Sequence, residues 1–528
     1  MRFGEASGMG RSPSGTAHMI RTLLLLACLI CGTATAQDGQ IDASYGADGY
    51  VENLPQERPI RLADLAVSPT DAAVYVGWSG RTETEAFIGR VTPEGTRDAS
   101  FGTDGHIVIP VAGTGEMLRA VAVREDDHVL AIGQAASTDG SAPPTRLLTV
   151  QLDAQGQPET VAVLELGESA RGEGVAISDE GAYLAVSLLD SQTCGIVRLD
   201  TDGALDTSFG TNGLLVLAVG SPCEAADLVL TASGVVLVGT LDQSVGTVFL
   251  AQISSDGVLD TAFGDNGLAI RTFDSSQNKA SSLAVGPNGD LIVGGLSRKG
   301  SVAGPLLLRF DPTGTPLDSF GYQGLYWSAD APSNGLYAEP PGVVALSDGR
   351  VVFATTTAPT VRMTVGGVTP DGQRDLSFGT NGFTTAEETV SNFSYGRGIA
   401  VDSKGRLLVG GEAIVGGSLH QLVISRLTGS VASTASEGDA PVQTGSLQIA
   451  PNPSVGRTRI STTLDQSAAV QAVVLDSLGR QLATLHDGPA RAGDLDLEWD
   501  ASNAAPGLYV VRLLVDGRPQ MGTMTVAR

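Results

Sequence analysis

Catalysis and metal binding need particular side chains at particular spacings, and this 528-residue chain offers few candidates. Four of its five histidines lie beyond the first 36 residues: His106, His128, His420 and His486. They are scattered, and no two share the helical spacing that would hold zinc. Neither a Gly-x-Ser-x-Gly elbow nor a phosphate-cradling glycine loop occurs. His128 in Asp126-Asp127-His128 has the composition of a metal site, but a polar triplet between apolar runs is also what an exposed turn requires. Asp200-Thr201-Asp202-Gly203 and a recurrent Asp-x-Ser-x-Gly-x-Asn pattern invite a calcium reading, since hard cations collect oxygen ligands. Neither follows the full EF-hand pattern, and hairpin turns use the same residues. Carboxylates are so common here that a glycoside-cleaving pair has no distinctive signature. The expectation is no catalytic residue, no metal and no cofactor.

Cysteine usage bears on compartment. Of four cysteines, Cys28 and Cys31 fall in a leader, which leaves Cys194 and Cys223 as a possible disulfide. Its loop of about 30 residues would contribute roughly 3–4 kcal/mol in an oxidising compartment.

The leader has a basic start at Arg21, an apolar core from Leu23 to Ile30, and small residues ending at Ala36. This is a secretory signal cut between Ala36 and Gln37, too short to be kept as a membrane span, so the mature chain is expected to have no transmembrane segment. The polar residues before Met19 suggest that translation begins there. Leu26-Ala27-Cys28 only faintly resembles a lipoprotein site.

A formal net charge of −26 excludes an ordinary nucleic-acid partner, because phosphate binding needs a basic face. Nearly all the acidity lies before residue 446. It reads as a solubility surface, with a cation-binding or basic-ligand surface as the alternative.

The elements that must position any site are strands. There are 68 glycines and many short Val, Leu and Ile runs closed by Asp-Gly or Asn-Gly, which indicates an all-β chain. A unit of three strands, a turn glycine and a box recurs. Asp206-Thr207-Ser208-Phe209-Gly210-Thr211-Asn212-Gly213 is the cleanest box; Asp42 with Tyr45, Asp98 with Phe101, Asp260 with Phe263, Asp318 with Phe320 and Asp375 with Phe378 mark the others. The Asp318 copy lacks one residue, and a copy expected near Glu159 has decayed. Turn glycines at Gly95, Gly156, Gly203, Gly257, Gly314, Gly372 and Gly429 recur about every 56 residues, a length that suits four-stranded units. In each box the Asp and Ser should bond turn amides, and the ring should insert between neighbouring sheets. Gly77, Gly133, Gly239, Gly294 and Gly410 should sit where backbones crowd, with Ser187 and Thr355 replacing them in two copies.

Seven copies of the first three strands occur. The seventh ends at Leu427 with no box after it, while a box at Asp42 precedes the first. A closed ring shares a unit between its ends in this way. The expected fold is an all-β, seven-bladed β-propeller closed by the N-terminal strand.

These boxes resemble the delta-60 repeat of bacterial extracellular proteins over residues 41–427, which implies a β-propeller-like fold and supplies no established activity. Residues 430–445 read as a linker. From residue 446, Pro451-Asn452-Pro453, Gly479 within Asp476-Ser477-Leu478-Gly479-Arg480, Trp499, and Pro506-Gly507-Leu508-Tyr509 resemble the type A C-terminal sorting domain of type IX secretion. The resemblance implies a small β-sandwich that directs passage across the outer membrane. A carbohydrate-binding or fibronectin-like sandwich is the plainer reading.

The domain expectation is therefore signal peptide 1–36, propeller 37–429, linker 430–445 and sorting domain 446–528. The functional expectation is a monomeric, secreted or outer-membrane cell-surface binding protein, non-catalytic, taking a glycan or protein ligand and engaging the type IX machinery. A hydrolytic, glycan-cleaving propeller and a structural envelope component are the alternatives. Channel carboxylates with a raised pKa would favour the enzyme, and exposed aromatics at the loop end would favour glycan binding.

Overall fold

The computed structural model describes residues 38–429 and 447–527, apart from 52–58, 81–83, 110–114, 137–143, 243–245, 274–276, 300–301, 329–341, 358–360, 387–392, 416–418, 455, 465–467, 477–480, 492, 503, 506 and 516–517. Ala36, Gln37, Gly479 and Pro506 lie outside the described residues. Two compact units divide between residues 431 and 432. Every regular element among the described residues is a strand.

In the first unit the described strands form seven four-stranded antiparallel sheets. The first sheet runs Ile60–Val67, Ala73–Ser79, Glu85–Val91, His106–Val108 in spatial as in chain order. The next five repeat this order, with inner strands Met117–Val123, Ala170–Ser178, Cys223–Thr231, Gln277–Val285 and Gly342–Ala345. The seventh sheet is completed from the other end of the chain. Tyr50–Val51 pairs with Leu419–Leu427, placing Tyr50 opposite Ser425 and Val51 opposite Ile424. Each inner strand packs on that of the next sheet, and the inner strand Ser394–Val401 packs back on Ile60–Val67.

Burial explains the sequence pattern. The second strands have both faces covered by neighbouring sheets, so Gly181–Leu188 is buried throughout and reads as a continuous apolar run. Outer strands such as Leu214–Val216 are short and partly exposed. Six inner strands carry a bulge, for example between Leu62 and Asp64 and between Leu118 and Ala120. A bulge turns a carbonyl toward the facing strand, and in five of the six sheets a glycine sits opposite it, Val186 taking that place in the third. A Cβ at Gly77 would lie 1.9 Å from the Arg61 carbonyl oxygen, and one at Gly133 the same distance from that of Met117. In the fifth and seventh sheets the crowded residues are Gly295 and Gly411, one position beyond the expected Gly294 and Gly410, because those are the residues facing the carbonyls of Lys279 and Tyr395.

The second unit contains a three-stranded and a four-stranded sheet. Ile460 and Trp499 of the smaller sheet share a buried cluster with Val474, Tyr509, Val511 and Met524 of the larger. Trp499 and Tyr509 meet at a tilt of 55° with ring centroids 5.2 Å apart, and the Tyr509 hydroxyl donates to the Ala505 carbonyl at 2.7 Å. Pro451-Asn452-Pro453 is tied to the last strand, where Asn452 Oδ1 accepts from the Thr525 amide at 2.8 Å. Gly507 opens the strand Gly507–Val515.

Candidate functional site

The boxes form corners between sheets. Asp98 Oδ1 accepts from the Ser100 amide at 3.0 Å and from its hydroxyl at 2.5 Å, and Asp42, Asp206 and Asp375 do the same with Ser44, Ser208 and Ser377. Asp260, followed by Ala262, keeps only the amide bond. A third-strand side chain holds the same carboxylate from inside: Arg90 on Asp98 at 2.6 Å, Arg198 on Asp206 at 2.9 Å, Arg426 on Asp42 at 2.7 Å, and Gln252 on Asp260 at 3.3 Å. Arg350, the last residue of the turn before the second strand of its sheet, holds Asp375 at 3.1 Å. Burial works to raise the carboxyls of Asp42, Asp98 and Asp375, but the serine bonds and the arginines outweigh it and hold them below the usual range. At Asp206 the serine bonds are the leading cause of a lowered value.

Each ring reaches the next sheet's turn glycine. Phe101, Phe209, Phe263 and Phe320 abut Gly156, Gly257, Gly314 and Gly372 or the backbone beside the ring, and Tyr45 abuts Gly95. Two corners differ from the sequence expectation. Phe378 packs on Gly39, not Gly429, because the last turn is built from both chain ends: the Gly39 amide bonds the Thr428 carbonyl, and the Thr428 amide bonds that of Gln40. In the shortened copy the Leu317 carbonyl takes the corner bond from Phe320, so Asp318 is displaced, exposed, and paired with Arg271 at 3.0 Å.

Where the box has decayed, the corner is absent. Its place is taken by a seven-residue outer strand, Pro158–Leu164, against three residues in the first sheet. Gln151 occupies the position of Arg90, and its amide lies against Gly203 of the third sheet. A cavity of about 510 Å³ opens beside it, lined by His128, Gln151, Glu159, Asp179, Asp200 and Thr201 among others. His128 is therefore no simple solvated turn residue, since its Nε2 lies 3.3 Å from Glu159 and its Nδ1 3.1 Å from Asp126. Burial acts to raise the Asp126 carboxyl, but the His128 amide and Arg124 outweigh it and hold it low.

A second group gathers where the inner strands begin. Arg119, Glu173, Arg171, Glu224 and Lys279 link four consecutive inner strands in a chain of alternating sign. Arg171 meets Glu173 and, at 2.6 Å, Glu224; Lys279 meets Glu224 at 3.2 Å; and Arg119 reaches Glu173 at 3.7 Å. The Nε of Arg119 is buried without a hydrogen-bond partner. In the seventh sheet Arg397 pairs with buried Glu412 at 3.1 Å, and His420 lies 3.7 Å from the same carboxylate. Arg119, Glu173 and Arg397 are the extra residues of their bulges. Sequence reasoning missed them because bulge residues share no type from copy to copy. The usable signal was one polar residue preceding each inner apolar run.

Just beyond stand Asp64 and Asp227. Burial pushes the Asp64 carboxyl up to about 6 and that of Asp227 to about 7, the latter helped by repulsion from Asp64. Both oxygens of each are already engaged. Asp64 accepts from the Leu65 and Val121 amides at 2.8 and 3.0 Å, and Asp227 from those of Leu228 and Leu283 at 2.8 and 2.9 Å. Each carboxylate thus staples one inner strand to the next.

His106 begins an outer strand, and His486 bonds the Gly488 carbonyl in the second unit. No three His, Cys, Asp or Glu side chains among the described residues are grouped to hold a metal. Cys194 and Cys223 are bonded across the third and fourth sheets, with Cα atoms 5.6 Å apart.

Residues 189–209, which run into the Phe209 box, match the family model described as domain of unknown function (DUF5122) beta-propeller. The repeat region is a β-propeller. No curated protein matches the sequence. Solved structures similar to it include a protein of unknown function from Dyadobacter fermentans, at 11% identity and TM-score 0.42, covering 72% of this chain and 98% of that one. PorZ, described as a surface component of the type IX secretion system of Porphyromonas gingivalis, is similar at 12% identity and TM-score 0.37, covering 93% of this chain and 60% of PorZ. The Nup133 β-propeller domain of Vanderwaltozyma polyspora is similar at 9% identity and TM-score 0.39, covering 71% and 99%. Within the propeller, then, two places are chemically distinct: the charged start of the inner strands and the cavity at the missing corner.

Proposed function

We propose that the chain is a secreted or cell-surface, non-catalytic binding protein. In this reading residues 37–429 are a seven-bladed propeller of delta-60-like repeats sealed by the N-terminal strand. Residues 430–445 are a linker, and residues 446–528 are a β-sandwich addressed to the type IX secretion machinery. The propeller presents the inner-strand end to an acidic glycan or to an acidic face of another protein.

The observation that carries the binding reading is Arg119, a cation with a buried, unbonded Nε and only a 3.7 Å contact to a carboxylate that Arg171 already holds. An incoming carboxylate or sulfate would satisfy it as a charge-assisted bond. The enzymatic alternative draws on the raised carboxyls of Asp64 and Asp227. Their full use as acceptors for backbone amides argues for a structural role instead.

The test is a glycan array that includes uronic-acid and sulfated chains, with product analysis of each hit. Retention of intact acidic glycans, weakened about tenfold by Arg119→Ala, about 1.4 kcal/mol, is expected. Cleaved products would replace this reading with the hydrolytic one. For export, removal of residues 446–528 in a host with type IX secretion should trap the chain in the periplasm; unchanged surface delivery would refute the sorting role.

A further inference from the structure

The cavity at the missing corner has a mould elsewhere in the same molecule. In four other sheets a third-strand arginine reaches across to a backbone carbonyl in the next sheet's turn: Arg90 to Ala154 at 2.7 Å, Arg198 to Ser255, Arg309 to Pro370 at 2.7 Å, and Arg426 to Pro93. Three of these guanidinium groups also lie over the corner ring, at 4.6 Å for Arg90 and Phe101, 5.8 Å for Arg198 and Phe209, and 4.5 Å for Arg426 and Tyr45. The repeat therefore builds a slot whose native occupant is an arginine side chain, stacked and bonded to the following turn.

Between the second and third sheets both the arginine and the ring are gone. Gln151 is shorter and uncharged, and no corner follows it. The equivalent turn residue of the third sheet, Thr201, lines the resulting space together with Asp200, Asp179 and Glu159. A volume of about 510 Å³ is within the range of small-ligand sites. Five carboxylates, those of Glu125, Asp126, Glu159, Asp179 and Asp200, line the walls against Arg124 and His128, an acidic excess suited to a guanidinium. The lining also lacks a group of three metal-ligating side chains among the described residues, which disfavours a bare divalent cation.

We infer that this cavity receives an arginine side chain from an extended segment of a partner polypeptide, replacing in trans the guanidinium that four of the other sheets supply in cis. The guanidinium bonds the Thr201 carbonyl and the carboxylates of Glu159 and Asp200, while the partner's neighbouring residue covers the apolar floor left by the lost ring. The site lies at the turn end of the propeller, away from the start of the inner strands, so it stands independently of the glycan reading.

The test uses the full mature chain and a fluorescent peptide, Ser-Gly-Arg-Phe-Gly, with citrulline and lysine versions as controls. Anisotropy should show saturable binding of the arginine peptide, weakened about tenfold or more by citrulline and severalfold by lysine. Gln151→Arg restores the internal occupant, so it should abolish peptide binding and raise the melting temperature. Glu159→Gln and Asp200→Asn should weaken binding without that rise, and they keep the test decisive if Gln151→Arg folds poorly. Absence of arginine-peptide binding at millimolar concentration, equal binding of the citrulline or lysine peptide, or full binding by a well-folded Gln151→Arg protein would overturn the inference.

Discussion

The guanidinium of Arg426 lies 4.5 Å over the ring of Tyr45, so a residue near the end of the repeat region is stacked on one near its beginning. The same arginine pairs at 2.7 Å with Asp42, 384 positions away in sequence. The Arg426 side chain is only 4% exposed, so removing either charge of the pair strands the other. Arg426→Ala or Asp42→Ala should cost about 3 kcal/mol, read as a lowered midpoint in chemical denaturation. Arg459→Ala, which breaks a fully exposed pair with Asp496 in the second unit, should leave the midpoint unmoved. Equal effects would show that the seam contributes nothing special.

The corners should differ in what their acid is worth. Asp206 holds Ser208 and Arg198, whereas Asp318 is displaced and held only by Arg271. Thermal melts should show a clear loss for Asp206→Ala and almost none for Asp318→Ala. Phe209→Ala and Phe320→Ala should be alike, at about 3–5 kcal/mol each, because both rings are fully buried. A large loss at Asp318 would contradict the displaced corner.

Stability should peak in mildly acidic solution. Asp64 and Asp227 have raised carboxyls, near 6 and 7, so the folded chain holds protons there that the unfolded chain releases. Their contribution is complete below about pH 4, the ordinary carboxyl value, and is lost as pH rises through 6 and 7. Asp42, Asp98, Asp206 and Asp375 are lowered and act in the opposite direction, losing their contribution as pH falls below about 4. Calorimetry should show the melting temperature falling between pH 5 and 8, and Asp227→Asn should flatten that slope. An unchanged slope in the variant would exclude Asp227 as its source.

Reduction should act on one junction. The Cys194–Cys223 bond closes a loop with a sequence separation of 29, so its loss should cost roughly 3–4 kcal/mol. Denaturation with and without dithiothreitol measures this, and a double Cys→Ala variant should be insensitive to the reductant. A midpoint indifferent to reductant in the parent chain would mean that the bond adds no stability.

What the sequence revealed follows from which residues are forced. A box ring has one place to go, so Phe101, Phe209 and their equivalents were readable as inter-sheet wedges. Cys194 and Cys223 had no other partner beyond the leader. The turn glycine that receives Phe378 was hidden, because Gly39 belongs to that turn only through pairing between the chain ends. Asp318 matched its motif by eye, yet a missing residue moved the corner bond to Leu317. Arg119, Glu173 and Glu224 were illegible for a different reason: their importance comes from neighbours on other sheets, and the bulge positions of Arg119 and Glu173 take different residue types from copy to copy. The cavity beside Gln151 was foreshadowed only as a gap in a pattern, since sequence shows that a wedge is missing but not whether its space has collapsed.

The sharing of one sheet between the two chain ends also sets a schedule. The short strand Tyr50–Val51 pairs with Leu419–Leu427, so its strand pairing waits until that segment has been synthesised, even though Gly46 already has the Glu94 carbonyl as a partner. Arrival of Leu419–Leu427 is thus the event that locks the two ends of the array and turns a string of sheets into a finished wheel.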